Sequence, residues 1–190
     1  IYMKKIVHLI PDEKFTDFVI ENFSRESSAE NFFICFSDNN QVIHTRSKAL
    51  KKMTVAELAS NVEMLMIFEH ADIIMSHSLN EAFSKVLLKY LSKKIVWFCW
   101  GGEIYNYHPK LVENNFEKIT RQFFVKRFRG FFVKLWSKYY LTEVGLYRGL
   151  LYYQKKVIKH IDVICPVINE DFDIIKKLYT LKNTVMNFEF

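Results

Sequence analysis

Ile95-Val96-Trp97-Phe98-Cys99-Trp100-Gly101-Gly102-Glu103-Ile104-Tyr105 is the stretch that decides the fold. Its first five residues form an unbroken apolar run, too short for a buried helix and suited to a strand hidden on both faces. A glycine pair stops the run and a carboxylate follows. The same arrangement recurs on either side. Ile73-Ile74-Met75 leads into Ser76-His77-Ser78, and Phe32-Phe33-Ile34-Cys35-Phe36 leads into Ser37-Asp38-Asn39-Asn40. Residues 4–10 end at Pro11, Val163-Ile164-Cys165 ends at Pro166, and residues 184–188 read as a last strand. Val42-Ile43-His44 reads as a short third strand.

Helical patterns lie between these runs. Phe15, Phe18, Val19, Asn22 and Phe23 follow with helical spacing. Thr54 and Glu57 form a capping box for a helix that contains Val55, Leu58, Ala59 and Val62. Asn80 caps a helix through Ala82, Phe83, Val86, Leu87 and Tyr90, and residues 170–179 form another. Short continuous apolar strands alternating with helices predict the α/β class: a Rossmann-like parallel sheet with helices on both faces. No internal repeat is evident. The 190 residues fit a single domain, and half of them are hydrophobic.

Composition narrows the choices further. Five glycines and three prolines argue against long disordered linkers, and no apolar run reaches the roughly 18 residues of a membrane-spanning helix. Cys35, Cys99 and Cys165 each sit in a short apolar run, without metal or disulfide spacing, and read as buried reduced thiols. The net charge of +6 is unevenly spread. Residues 118–160 hold eleven Lys/Arg and one acidic residue, Glu143, whereas the remainder holds sixteen basic and twenty acidic residues. A localised anionic partner follows from that asymmetry.

In parallel sheets, ligands bind at the carboxyl ends of the strands. The loops of interest are therefore residues 11–15, 76–80 and 100–105. The first strand lacks GxGxxG, and no Walker lysine loop is present, so no dinucleotide cofactor is expected. Gly101 and Gly102 are two of only five glycines, and such a pair lets backbone approach a ligand or adopt positive φ. Glu103 is placed to accept a proton or a hydrogen bond from a sugar hydroxyl, or simply to favour a helix N-terminus behind a tight turn. His77 can act as a base, hold a hydroxyl, or close its own loop by bonding backbone. His8, His44, His70, His108 and His160 carry no comparable spacing argument.

The basic segment separates its residue types. At about 100° per residue, Phe124, Phe128, Phe131, Phe132, Leu135 and Tyr139 gather on one face. Lys126, Arg127, Arg129, Lys134 and Lys138 gather on the other, with Trp136 at the boundary. That is the pattern of a helix lying in a membrane interface, where each basic residue near an anionic leaflet contributes ~1 kcal/mol. A solvated core helix and a single-stranded nucleic-acid surface are the competing readings. Membrane ranks first because the aromatics share one face, so no nucleic-acid partner is expected.

With these blocks assembled, the chain resembles the 4-acetamido-4,6-dideoxygalactose transferases, the TDP-N-acetylfucosamine:lipid II N-acetylfucosaminyltransferases of enterobacterial common antigen synthesis. The resemblance lies in a strand ending in His with a helix behind it, over residues 73–88. It continues in an aromatic strand ending W-G-x-D-L-Y, here over residues 97–105 with Glu103 for Asp and Ile104 for Leu. A basic aromatic connection and a strand–helix–strand over residues 162–190 complete it. The resemblance implies a GT-B architecture, in which this chain is the N-terminal, acceptor-side domain and the C-terminal donor domain is absent. It implies a TDP-type nucleotide-sugar donor, a polyprenyl-diphosphate-linked saccharide as acceptor, and peripheral attachment to the anionic cytoplasmic face of the bacterial inner membrane, without a metal. On this reading Glu103 and His77 are catalytic, and Trp100, Gly101, Gly102, Tyr105, Ser76 and Ser78 bind substrate. Residues of about 116–160, with Phe128, Phe131, Phe132, Trp136 and the five basic residues above, dock on the membrane. The alternative function is a non-catalytic Rossmann-like module that binds anionic membrane or nucleic acid through the basic segment.

Overall fold

The computed structural model describes residues 3–25, 28–36, 43–101, 146–179, 181 and 184–185. In chain order the elements are β1 (Lys4–Leu9), α1 (Thr16–Arg25), β2 (Ala29–Phe36), β3 (Leu50–Met53), α2 (Val55–Ser60), α3 (Val62–Glu69) and β4 (Ile73–Ser76). They continue with α4 (Glu81–Leu87), β5 (Lys94–Cys99), α5 (Leu146–Ile158), β6 (Val163–Pro166), α6 (Asn169–Leu178) and β7 (Thr184–Val185). The strands form one sheet in the order β3-β2-β1-β4-β5-β6-β7, and every pairing is parallel. This is the Rossmann-like α/β fold expected from the apolar runs.

Both faces of the sheet are covered by helices, which explains the unbroken apolar strands. On one face Val7, Leu9, Ile34, Ile74, Ile95 and Trp97 join a single core with α2 to α6, through residues such as Leu58, Phe68, Phe83, Val157 and Ile175. On the other face Ile20 of α1 packs with Ile10 and Phe33, while Phe23 reaches Val96, Phe98 and Cys165. Alternation along each strand thus divides one apolar run between two cores. All three cysteines are buried, and none is in a disulfide.

Local chemistry fixes the helix ends. The Thr54 hydroxyl accepts from Glu57 N–H at 3.0 Å, and the Glu57 carboxylate accepts from Thr54 N–H at 2.6 Å, which completes the capping box. The helix expected through Val62 breaks at Asn61, whose extended backbone and side-chain oxygen start α3 by accepting from Met64 N–H at 3.1 Å. Asn80 caps α4 through Phe83 N–H at 2.9 Å.

One local expectation is corrected and another is extended. Ile43 and His44 are not strand residues: their N–H groups donate to the Asp12 carboxylate instead of to a neighbouring strand. The third strand is Leu50–Met53, which Lys51 and Lys52 disguise as solvent-exposed chain. Its lysines suit an edge strand, where charge discourages further pairing. Phe15 and Phe18 share helical spacing with Val19 and Phe23, yet they are 65% and 64% exposed.

A short repeat also emerges. His70-Ala71-Asp72-Ile73-Ile74 enters β4, and His160-Ile161-Asp162-Val163-Ile164 enters β6. Asp72 takes Lys5 N–H on its carboxylate at 2.8 Å and donates its own N–H to Lys5 O at 2.9 Å. Asp162 does the same with Ile95, at 2.7 and 2.9 Å. Each aspartate thereby ties the start of one strand to the start of its neighbour.

Removing one latch tests its contribution. Asp162→Ala leaves the Ile95 N–H without its acceptor, so unfolding free energy should fall by about 1–3 kcal/mol. Urea denaturation of the variant beside wild type measures this; an unchanged midpoint would show that the latch contributes nothing.

Candidate functional site

The sheet is built outward from β1 in both directions, towards β3 on one side and β7 on the other. The reversal leaves a crevice at the carboxyl ends of β1 and β4, where this class of sheet binds ligands. A cavity of about 250 Å3 occupies that crevice. Ile10, Pro11 and Glu13 of the β1–α1 loop, Val19 of α1, His77 and Trp100 line it, together with Phe15 and Thr16.

The β1–α1 loop is held by short-range chemistry. The Thr16 hydroxyl donates to Pro11 O at 2.6 Å and accepts from Glu13 N–H at 3.0 Å. Asp12 accepts from the N–H groups of Ile43, His44 and Thr45 and from the Thr45 hydroxyl, at 2.6–3.1 Å. Burial alone would raise its pKa, but the combined hydrogen bonds from Ile43, Thr45 and His44 hold the carboxyl below its usual value. Asp17 accepts from Arg46 and Ser47 N–H at 3.0 Å, so residues 43–47 are moored to this loop by two carboxylates.

Behind the cavity lies a row of buried polar groups. His77 N–H donates to Leu9 O at 2.8 Å, fixing the end of β4 against β1. Its ring lies flat on Phe98, with centroids 4.9 Å apart and planes 3° apart. His77 Nε2 lies 3.0 Å from His8 Nδ1, and His8 Nε2 lies 2.9 Å from Asn31 Oδ1. The Asn31 amide donates to Phe23 O at 2.9 Å. Phe23 and Phe33 cover His8 at 4.5 and 4.7 Å between centroids. His77 Nδ1 is buried and has no hydrogen-bond partner. Desolvation lowers the pKa of His8 to about 4, against a smaller upward pull from Asn31. Desolvation, reinforced by His8, puts His77 well below its ordinary value. Both imidazoles are therefore neutral at physiological pH.

The residues singled out from sequence separate clearly. His77 and Trp100 come together at the cavity. Trp100 is 43% exposed and parallel to Phe15, with planes 7° apart and centroids 6.4 Å apart. Gly101 takes a left-handed φ of 87°, the conformation expected of the glycine pair. The buried Ser76 hydroxyl donates to Ser78 O, so it closes the β4 loop and does not line the cavity. Gly102, Glu103, Tyr105 and the residues expected to dock on a membrane, Lys126, Arg127, Arg129, Lys134, Lys138, Phe128, Phe131, Phe132 and Trp136, lie outside the described residues. His8 and Asn31 were missed, whereas Phe15 belongs to the 11–15 loop singled out from the sequence. For His8 a signal exists: a polar side chain in a fully buried strand has to find a hydrogen-bond partner.

Fold and site together define a Rossmann-like α/β domain with a small, mostly apolar cavity at its switch point. No protein-family model matches the chain, and no curated protein matches it. Among solved structures, a proposed epimerase from Bacteroides thetaiotaomicron is 18% identical, with a TM-score of 0.40 over 87% of this chain and 71% of that one.

The buried histidines make stability pH-dependent. Near pH 5 the unfolded chain protonates His8, whereas the folded chain, with a pKa of about 4 against 6.5, does not. The unfolded state then binds more protons, so stability rises with pH between those two values and is fully present above the upper one. The His8 shift corresponds to roughly 3 kcal/mol across that window. Urea midpoints measured at about pH 5 and about pH 7.5 should differ accordingly, and His8→Gln should flatten the dependence.

Proposed function

We propose that this chain is the acceptor-side domain of a glycosyltransferase of GT-B type. The observation that carries the reading is the cavity at the carboxyl ends of β1 and β4, lined by Trp100, Phe15 and the buried His77, whose Nδ1 has no hydrogen-bond partner. Sugars have this dual character, with hydroxyl groups around the rim of an apolar ring. Trp100 packs against the ring, and His77 holds a hydroxyl. Because burial disfavours its charged form, His77 orients the hydroxyl and Glu103 takes the proton. The Glu103 role rests on its place in the W-G-x-[DE]-[LI]-Y block.

The sugar donor is a nucleotide sugar of TDP type, carrying a deoxy-amino sugar or similar hexose, bound by a second Rossmann-like domain. The acceptor is a polyprenyl-diphosphate-linked saccharide in bacterial surface polysaccharide synthesis. The basic aromatic segment brings the domain to the cytoplasmic face of the inner membrane. The sharp confinement of positive charge to residues 118–160 supports that arrangement.

Transfer of labelled sugar from a TDP-sugar to a polyprenyl-diphosphate saccharide is the direct assay, in the protein that carries this domain. Glu103→Gln should lower turnover by about 10²–10⁴-fold, and near-normal turnover would remove Glu103 from the mechanism. Complete absence of transfer by wild type, with a panel of TDP-sugars, would overturn the reading. Liposome flotation should show binding that requires anionic lipid; equal binding to neutral vesicles would count against the electrostatic account.

A further inference from the structure

Asn31 sets the direction of every proton in the buried row. Its amide nitrogen donates to Phe23 O at 2.9 Å and, more weakly, to Ala29 O at 3.4 Å. Its oxygen therefore faces His8 and can only accept, so His8 Nε2 carries a hydrogen. A neutral imidazole has one N–H, which leaves His8 Nδ1 as a lone pair. The 3.0 Å contact then needs the hydrogen on His77 Nε2. By the same rule His77 Nδ1 is a lone pair, and it is the buried atom without a partner. The proton positions follow from the network of partners, with the amide orientation as the anchor.

We propose that His8 and Asn31 are positioning residues that lock His77 with its proton on Nε2, so that the cavity receives the hydroxyl of a neutral ligand with one apolar face, of the sugar kind. Glu13, an acidic residue, lines the same cavity, with apolar wall from Ile10, Val19 and Trp100. An anionic group placed there would meet a lone pair and a carboxylate. Only the ligand class rests on the acceptor-site reading above; the proton row rests on the geometry alone.

Histidine long-range 1H–15N correlation spectra of the labelled chain near neutral pH test the row without any transfer assay. Wild-type His77 should be protonated on Nε2. Asn31→Leu removes the acceptor for His8, which frees the row to invert and moves the His77 proton to Nδ1. Asn31→Gln keeps a neutral amide acceptor for His8 and should keep the wild-type tautomer. A wild-type proton on His77 Nδ1 would overturn the proposal, as would identical spectra from the leucine and glutamine variants. Should the leucine variant not fold, the wild-type spectrum and the glutamine variant still decide it.

The ligand class is tested in the same spectra with methyl glucopyranoside, glucose 6-phosphate and glucosamine as probes. The neutral glucoside should shift the His77 and Trp100 resonances, about tenfold more weakly in Asn31→Leu, the effect of one lost hydrogen bond. Equal response to the phosphate, response to glucosamine alone, or no response to the glucoside would each overturn the ligand assignment. Those outcomes leave the tautomer result standing, and a failed transfer assay would leave both standing.

Discussion

Parallel pairing of β1 with both β2 and β4 is the constraint on which the rest depends. The register sets His8 level with Phe33 on one side and with Met75 on the other. Asn31 sits two residues before Phe33, and His77 two residues after Met75, all on the same face of the sheet. The three polar side chains consequently run diagonally across three strands, from the interior towards the carboxyl edge. Slipping either pairing by one residue would turn one member of the row to the opposite face and leave the others buried without partners. The pairing that builds the sheet therefore also aims His77.

Packing on that face completes the arrangement. Phe23 descends from α1 onto His8, His77 and Phe98 at once, with ring centroids 4.5–6.3 Å away. The aromatic cover removes water from the imidazoles, which keeps them uncharged, while the Asn31 amide satisfies the inner end of the row. The outer end, His77 Nδ1, has no hydrogen-bond partner. The same α1 helix carries Thr16 and Val19 to the cavity wall, and Asp17 to the mooring of residues 43–47. One helix thus shapes the pocket, dries its base and fixes its rim. The chemistry that results is a directional hydrogen-bond acceptor set in apolar surroundings.

Much of this was legible in the residues, for identifiable reasons. Buried parallel strands are continuous in hydrophobicity, so β1, β2, β4, β5 and β6 announce themselves. Thr54 with Glu57, and Asn80, mark helix starts because a cap is a local hydrogen bond. His77 and Trp100 stand out because both follow a strand directly. What stayed hidden is what depends on distant residues. His8 meets a partner 69 positions away, and although a polar residue in a buried strand signals that a partner is needed, nothing local identifies it. Edge strand β3 carries lysines, since one side of it faces no neighbour among the described residues, and so it lacks the apolar signature. The exposure of Phe15 was equally unreadable, because helical spacing tells which residues share a face and not what that face meets. The aspartate repeat escaped notice because its two copies are short and stand 90 positions apart.

A sheet whose pairings are all parallel contains no strand pair that a tight turn can close. Each pairing waits for an intervening crossover, and the β1–β4 ladder waits for nearly seventy residues. Loop closure of that length slows folding relative to local contacts. On a ribosome, β1 with β2 can form early and brings Asn31 to His8, but His8 Nδ1 waits for His77 until β4 has emerged. The candidate site is therefore assembled after the first half of the sheet, and its integrity reports that the long-range pairing has been reached.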